Sequence, residues 1–315
     1  MAQFRNVIKH GPSTLIVSLP SKWVKAHDVK NGDSLEVKED GNNIIFSLKQ
    51  DKSVKKIVEV DFSGLDRSSV MFYLRSLYRQ GYDIVKIRFK DALIPYFRIG
   101  RAVNIVNVIK QEVNRLPGFE IIEQRQDYCL IHVITEMNGA EFENVFKKIF
   151  FMVDDAFEGI SESLREKNSL YSRSFDEKHN SITKFISYCC RLLMTEKIQG
   201  YQNNLQLYNI LTDFDVVADT LKNFCRELYK LKRTRFHKDF IRLFDVLKGM
   251  QKLFYRLFFN FKKDYLVEFE RSKEMLFKGL FASKMPSPQK RILASLLAIS
   301  DIQRDLIESR LIIAN

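Results

Sequence analysis

Four aspartates are the chain's clearest candidates for chemistry. Asp215 and Asp219 stand four residues apart, and Asp301 and Asp305 repeat the spacing near the C-terminus. On a helix, positions i and i+4 share a face and lie about 6 Å apart. Each pair would therefore set two carboxylates side by side, and a cation would relieve their repulsion. Oxygen ligands favour hard ions such as Mg, Ca, Mn or Fe. A solvated helix face is the alternative. A second chemistry is suggested by residues 222–263, where thirteen Lys and Arg meet only Glu227, Asp239 and Asp245. A face so charged attracts a polyanion, whether nucleic acid, an acidic partner or an anionic membrane surface, unless it only solvates a helix.

No enzyme is expected. His10, His27, His132, His179 and His237 are scattered, and none stands at ligand spacing from a Cys or a carboxylate. No nucleophile–base set, Gly-rich phosphate loop or zinc cluster emerges. Cys129, Cys189, Cys190 and Cys225 lie in apolar surroundings without zinc spacing, as reduced core residues do.

The elements that must position these groups come in three stretches. The chain has 315 residues, a net charge of +12, 45% apolar residues and 26 Phe, enough for two or three globular domains. Residues 1–6 lead into no apolar core segment, and the apolar run 292–299 is far short of the roughly 20 residues that span a bilayer. A cytoplasmic protein without membrane insertion is expected. Residues 7–8, 14–17, 34–38 and 43–48 read as strands, with a short helix at 20–25 and turns at 11–13, 31–33 and 39–42. Residues 56–137 alternate: strands at 56–60, 84–89, 119–123 and 129–133, helices at 67–80 and 100–116.

From residue 141 onward the pattern is helical, with helices predicted at 141–166, 175–199, 204–232, 237–261, 264–281 and 288–313. They suit an antiparallel bundle. Breaks are expected at 167–169, 200, 234–235, 262–263 and 285–288. Six helices divide into two sets of three, and the Asp-x-x-x-Asp spacing recurs on the third of each, as a duplicated unit would have it. Phe146, Phe150, Phe151, Phe157, Phe254, Phe258, Phe259 and Phe261 recur near helical spacing and are expected in the core.

The first fifty residues cannot cover their own sheet and edges, and a second copy of the chain would complete them. Arg5-x-Val7-x-x-x-Gly11-x-Ser13-Thr14-x-x-Val17-Ser18-Leu19-Pro20-x-x-Trp23-Val24, followed by Val29-x-x-Gly32-Asp33-x-Leu35-x-Val37, resembles the SpoVT–AbrB swapped-hairpin DNA-binding domain. The resemblance implies a homodimer with Trp23 in a shared core. It also implies DNA contacts from Arg5 opening the first strand, Lys9 in the following turn, and Lys22 and Lys25 on the short helix.

Asp215-Val216-Val217-Ala218-Asp219 and Asp301-Ile302-Gln303-Arg304-Asp305 look like the Glu/Asp-x-x-x-Asp signature on the third helices of PhoU repeats. That resemblance implies two tandem three-helix units that bind metal through Asp215, Asp219, Asp301 and Asp305 and modulate phosphate uptake. The usual Glu-Arg-Ile-Gly-Asp core is absent. Asp176, Glu177, Glu268 and Glu270 are the companions on the second helices, and Arg304 could replace a cation by pairing with a nearby carboxylate.

Together these describe a multidomain α+β protein: a swapped-hairpin half-barrel at 1–52, a small α+β unit at 53–138, and an all-α PhoU-like bundle at 139–315. They resemble an AbrB–PhoU fusion of the type found in archaea, which implies a DNA-binding regulator of phosphate uptake. The alternative is a dimeric adaptor that contacts a phosphate transporter component or a signalling kinase without binding DNA.

Overall fold

The computed structural model describes residues 4–41, 43–48, 55–135, 137–166, 170–195, 204–231 and 235–314. Two compact units divide the chain between residues 54 and 55. Three of the expected helix breaks, at 167–169, Gly200 and Thr234, lie outside the described residues.

In the first unit β1 (Ile8–His10) runs antiparallel to β2 (Thr14–Ile16). Gly11, at φ +74°, supplies the left-handed backbone of the turn between them. After α1 (Ser21–Ala26), β3 (Leu35–Asp40) pairs with β4 (Asn43–Leu48) around Gly41, at φ +56°. Among the described residues the two ladders do not join and no barrel is closed. Among the described residues of this unit none is fully buried. Leu19, Trp23, Val24, Val29, Leu35 and Leu48 are half-covered, while Ile8, Leu15 and Ile44 are each more than half exposed.

The second unit opens with a four-stranded sheet in the order β5 (Ile57–Asp61), β6 (Ile84–Arg88), β10 (Tyr128–Val133), β9 (Phe119–Gln124). β5 and β6 are parallel, joined through α2 (Arg67–Arg79). Asp66 starts α2 by accepting from the amides of Ser68 and Ser69. Val70, Met71, Leu74, Leu77 and Tyr78 then form a buried stripe that meets Val85 and Ile87 of the sheet.

The helix predicted at 100–116 starts later. Residues Arg101–Asn104 form β8, paired with an unforeseen β7 (Leu93–Tyr96), and α3 covers only Ile105–Val113. Two local features set that boundary. Gly100 turns the chain at φ +63°, and the Asn104 side chain accepts from the amides of Val106 and Asn107.

The bundle follows: α4 (Phe142–Glu166), α5 (Leu170–Met194), α6 (Asn204–Lys230), α7 (Lys238–Phe259) and α8 (Lys263–Ala282), then α9 (Ser287–Ala294) and α10 (Leu297–Ala314). The sixth predicted helix is thus two pieces. Around Ser295 and Leu296 the backbone tightens to three-residue hydrogen bonds, from the Leu296 amide to Leu293 and from the Ile299 amide to Leu296. α5 packs between α4 and α6, α7 packs on α4 and α8, and α10 returns to α6 and α7.

Phe150 is the aromatic hub, with ring centroids of Phe214, Phe258 and Phe259 within 4.5–4.9 Å. The expected core positions Phe146, Phe150, Phe157, Phe254 and Phe258 are buried and Phe259 is partly so. Phe151 and Phe261 instead lie at the surface, because helical spacing alone does not fix how wide the covered stripe is.

Arg191 of α5 fastens the bundle to the sheet layer. Its guanidinium is buried and donates to the carbonyls of Tyr78 and Tyr82 at 2.7 and 2.8 Å and to Asp83 at 2.8 Å. Gly81 lets the end of α2 approach α5: φ is +86°, and a Cβ there would lie 2.5 Å from Thr195 Cγ2.

Inside the bundle Gln303 donates to Gln251 Oε1 at 2.6 Å, and Gln251 donates to Asp154 at 2.8 Å. Burial pushes the Asp154 carboxyl up to about 6. An acid raised on folding carries no penalty while both states are protonated. The cost begins near the unfolded value of 3.8 and is complete above about 6. Asp154→Asn keeps the acceptor for Gln251 and removes the charge. The variant is expected to be more stable than the parent by about 1–2 kcal/mol at neutral pH and above, allowing for partial solvent screening. The gap should close by about pH 4, as measured by urea midpoints across pH. A gap independent of pH would show that Asp154 does not ionise there.

Candidate functional site

Consider first the groups expected to meet DNA. Lys22 and Lys25 stand three residues apart on α1, on one face and exposed. Lys9 is exposed too, but it lies within β1 opposite Leu15 and not in the following turn. Arg5 is exposed and precedes β1, which begins only at Ile8. Trp23 lies half-covered between the two lysines, its ring 5.0 Å from that of His27.

Three of the four aspartates find protein cations. Asp215 Oδ2 accepts from Arg79 at 2.9 Å and lies 3.9 Å from Arg75, both on α2. Asp219 is held by Lys222 and by His179 Nε2, the latter at 2.8 Å. Burial alone would raise the Asp219 carboxyl, but hydrogen bonds from His179 and Lys222 outweigh it and hold the group well below the usual range. Asp301 pairs with Lys273 at 2.7 Å. Asp305 is exposed, and its charge adds to burial in raising Asp213. Of the companions, Asp176 pairs with Arg226 at 2.7 Å, Glu270 lies 3.4 Å from Arg304, and Glu177 and Glu268 are exposed.

This donor set does not fit a metal ion. The charge a cation would bring to Asp215 and Asp219 is already supplied by guanidinium and ammonium groups. Among the described residues no three His, Cys, Asp or Glu side chains converge.

What the structure does bring together is a basic cleft of about 310 Å³ between α2–α3 and α5–α6. Six cations line it: Arg67, Arg75, Arg98, Arg115, Lys222 and Arg226. Against them stand only Asp176 and Asp219. Behind the wall Glu112 is fully buried and serves two arginines at once, Arg75 at 2.8 Å and Arg115 at 3.2 Å. Arg115 also donates to Thr183 at 2.8 Å, yet its Nε is buried without a partner. Burial lowers both Arg115 and Lys222 from their ordinary values, which marks positive charge held out of water.

Lys222 and Arg226 belong to the basic stretch singled out in the sequence. The rest of that stretch disperses. Lys248 and Lys252 pair with Glu158, Lys230 pairs with Glu227, and Lys232 and Arg233 lie outside the described residues. The arginines of α2 and those on either side of α3, Arg98 and Arg115, escaped sequence reasoning. Their one legible signal was Arg75-x-x-x-Arg79, the same i, i+4 spacing as Asp215 and Asp219, of which they meet Asp215.

All four cysteines are buried free thiols. Burial pushes Cys129 up to about 11 and Cys190 up to about 12, which makes them poor nucleophiles.

The described residues of the first unit thus form two short hairpins flanking a small helix, with their apolar side chains uncovered. Residues 8–49 match the family model of MazE, described as antidote-toxin recognition, bacterial antitoxin. That model lies in the AbrB/SpoVT-like swapped-hairpin family. No curated protein matches the chain. Among the described residues no helix is long and apolar enough to cross a membrane.

Removing one member of a part-buried ion cluster leaves the others unpaired. Asp215→Ala is therefore expected to cost about 2–4 kcal/mol in urea unfolding, because Arg79 and Arg75 lose their shared acceptor. Asp305→Ala, at an exposed position, should stay within about 0.5 kcal/mol of the parent. Equal effects at the two positions would contradict the pairing described here.

Proposed function

We propose that this protein is a non-enzymatic, homodimeric DNA-binding regulator whose first fifty residues are completed by those of a second chain. One observation carries the proposal. The N-terminal unit has no buried residue among those described, its strands leave Ile8, Leu15, Ile16, Ile44 and Ile45 uncovered, and it matches a swapped-hairpin family. Interleaving two copies would cover these side chains at roughly 25 cal/mol per Å² of apolar surface. It would also place two copies of Arg5, Lys9, Lys22 and Lys25 on one assembly. The resemblance of the helical part to PhoU supports phosphate uptake as the regulated process.

The description of the matched family favours a second possibility. It speaks of an antidote that recognises a toxin, so the unit could join two chains and dock a protein partner without touching DNA.

Salt-titrated binding to DNA from upstream of phosphate-transport genes separates the two. If all four basic residues of both chains meet phosphates, log affinity should fall with log salt at a slope of about −7. Lys22→Glu combined with Lys25→Glu should abolish DNA retention while light scattering still reports a dimer. Dissociation of the dimer by these changes would mean that the lysines belong to the chain–chain interface. No affinity even at low salt would leave the protein-docking alternative.

A further inference from the structure

We propose that the basic cleft between α2–α3 and α5–α6 is a binding site for a small, multiply charged phosphorylated compound. The inference stands apart from the DNA-binding proposal, since every residue involved lies beyond residue 54.

Charge balance is the first ground. Six cations line about 310 Å³, opposed by Asp176 and Asp219 on the lining and by Glu112 behind it, so the cleft still carries a local excess of positive charge in a confined space. Two of the six have no carboxylate partner among the described residues. Arg98 is exposed at the rim, and Arg67 is oriented by neutral groups only, lying 4.5 Å over the Tyr96 ring and donating to Gln111 at 2.9 Å. Such orientation fixes a guanidinium fork without neutralising it.

The buried back wall is the second ground. Arg75, Arg79 and Arg115 divide two carboxylates, Glu112 and Asp215, and Arg115 Nε, buried, has no acceptor. Three arginines divided over two carboxylates are costly to hold out of water unless a further anion joins them. The first amides of α2 cannot take that part, because Asp66 already occupies those of Ser68 and Ser69. Recognition therefore falls to side chains, and planar guanidinium groups match phosphoryl oxygens in pairs.

Size and composition narrow the ligand class. The volume is at the small end of the range for small-molecule sites. A phosphoryl group brings about two negative charges and three strong acceptors in little space. Tyr96, Phe72 and Met71 add an apolar side to the cleft, against which a base or similar ring could lie. Bound there, the ligand would bridge α2, on the sheet layer, to α5 and α6 of the bundle.

The test uses the full chain and two phosphoryl probes, pyrophosphate and ATP, in calorimetric titrations and thermal unfolding. Binding and a rise in Tm are expected with both at sub-millimolar concentration. ATP binding more tightly than pyrophosphate would assign the apolar side to a nucleoside, and equal affinity would assign the site to inorganic phosphoryl compounds. Arg67→Ala with Arg98→Ala should weaken binding by about tenfold or more, as expected for lost charge-assisted hydrogen bonds. The exposed charge reversal Arg98→Glu should do the same with the urea midpoint of the ligand-free protein unchanged. Three results would overturn the proposal: no binding of either probe at millimolar concentration, unchanged affinity in the variants, or citrate binding as tightly as pyrophosphate.

Discussion

A buried guanidinium must find acceptors, and in residues 55–315 that requirement ties the sheet layer to the helices. Arg191 reaches out of α5 to two carbonyls and a carboxylate at the end of α2. Arg79 reaches the other way, from α2 to Asp215 of α6. Leaving either charge without partners inside the protein costs several kcal/mol, so the relative setting of α2, α5 and α6 is dictated by these few polar contacts as well as by apolar packing. Asp215, whose spacing suggested a metal ligand, is the receiving end of this arrangement.

The N-terminal unit faces the opposite difficulty. It is short of buried surface, with strands of three to six residues and no fully buried side chain among those described. The little apolar area it covers offsets little of its conformational entropy. Its charge is modest, and the large positive excess of the chain is concentrated elsewhere, partly around the cleft between the sheet layer and the bundle.

The elements were legible wherever periodicity was strong. The predicted helices at 141–166 and 204–232 differ from α4 and α6 by no more than two residues at either end. They were misread where local chemistry overrode composition. Residues 101–104 form a strand because Gly100 turns the chain and Asn104 caps the helix that follows. The last helix breaks at Ser295 and Leu296, where nothing in the residue types forbids helix and only the hydrogen-bond pattern changes. Lys22 and Lys25 lie on the short helix where the residue pattern puts them, whereas Lys9, expected in the turn, lies inside β1.

The sequence by itself determined the local order of the chain: strands first, an alternating layer next and helices to the end. These follow from side-chain period and chain length, which are one-dimensional quantities. Only the tertiary structure decided what the charged residues do. Whether Asp215 meets a metal or an arginine depends on which helix lies opposite, and Arg75 and Arg79 come from more than a hundred positions away along the chain. That like charges from α2, from either side of α3 and from α6 meet in one cleft is not written in spacing, because electrostatic neighbours are set by packing and not by order along the backbone.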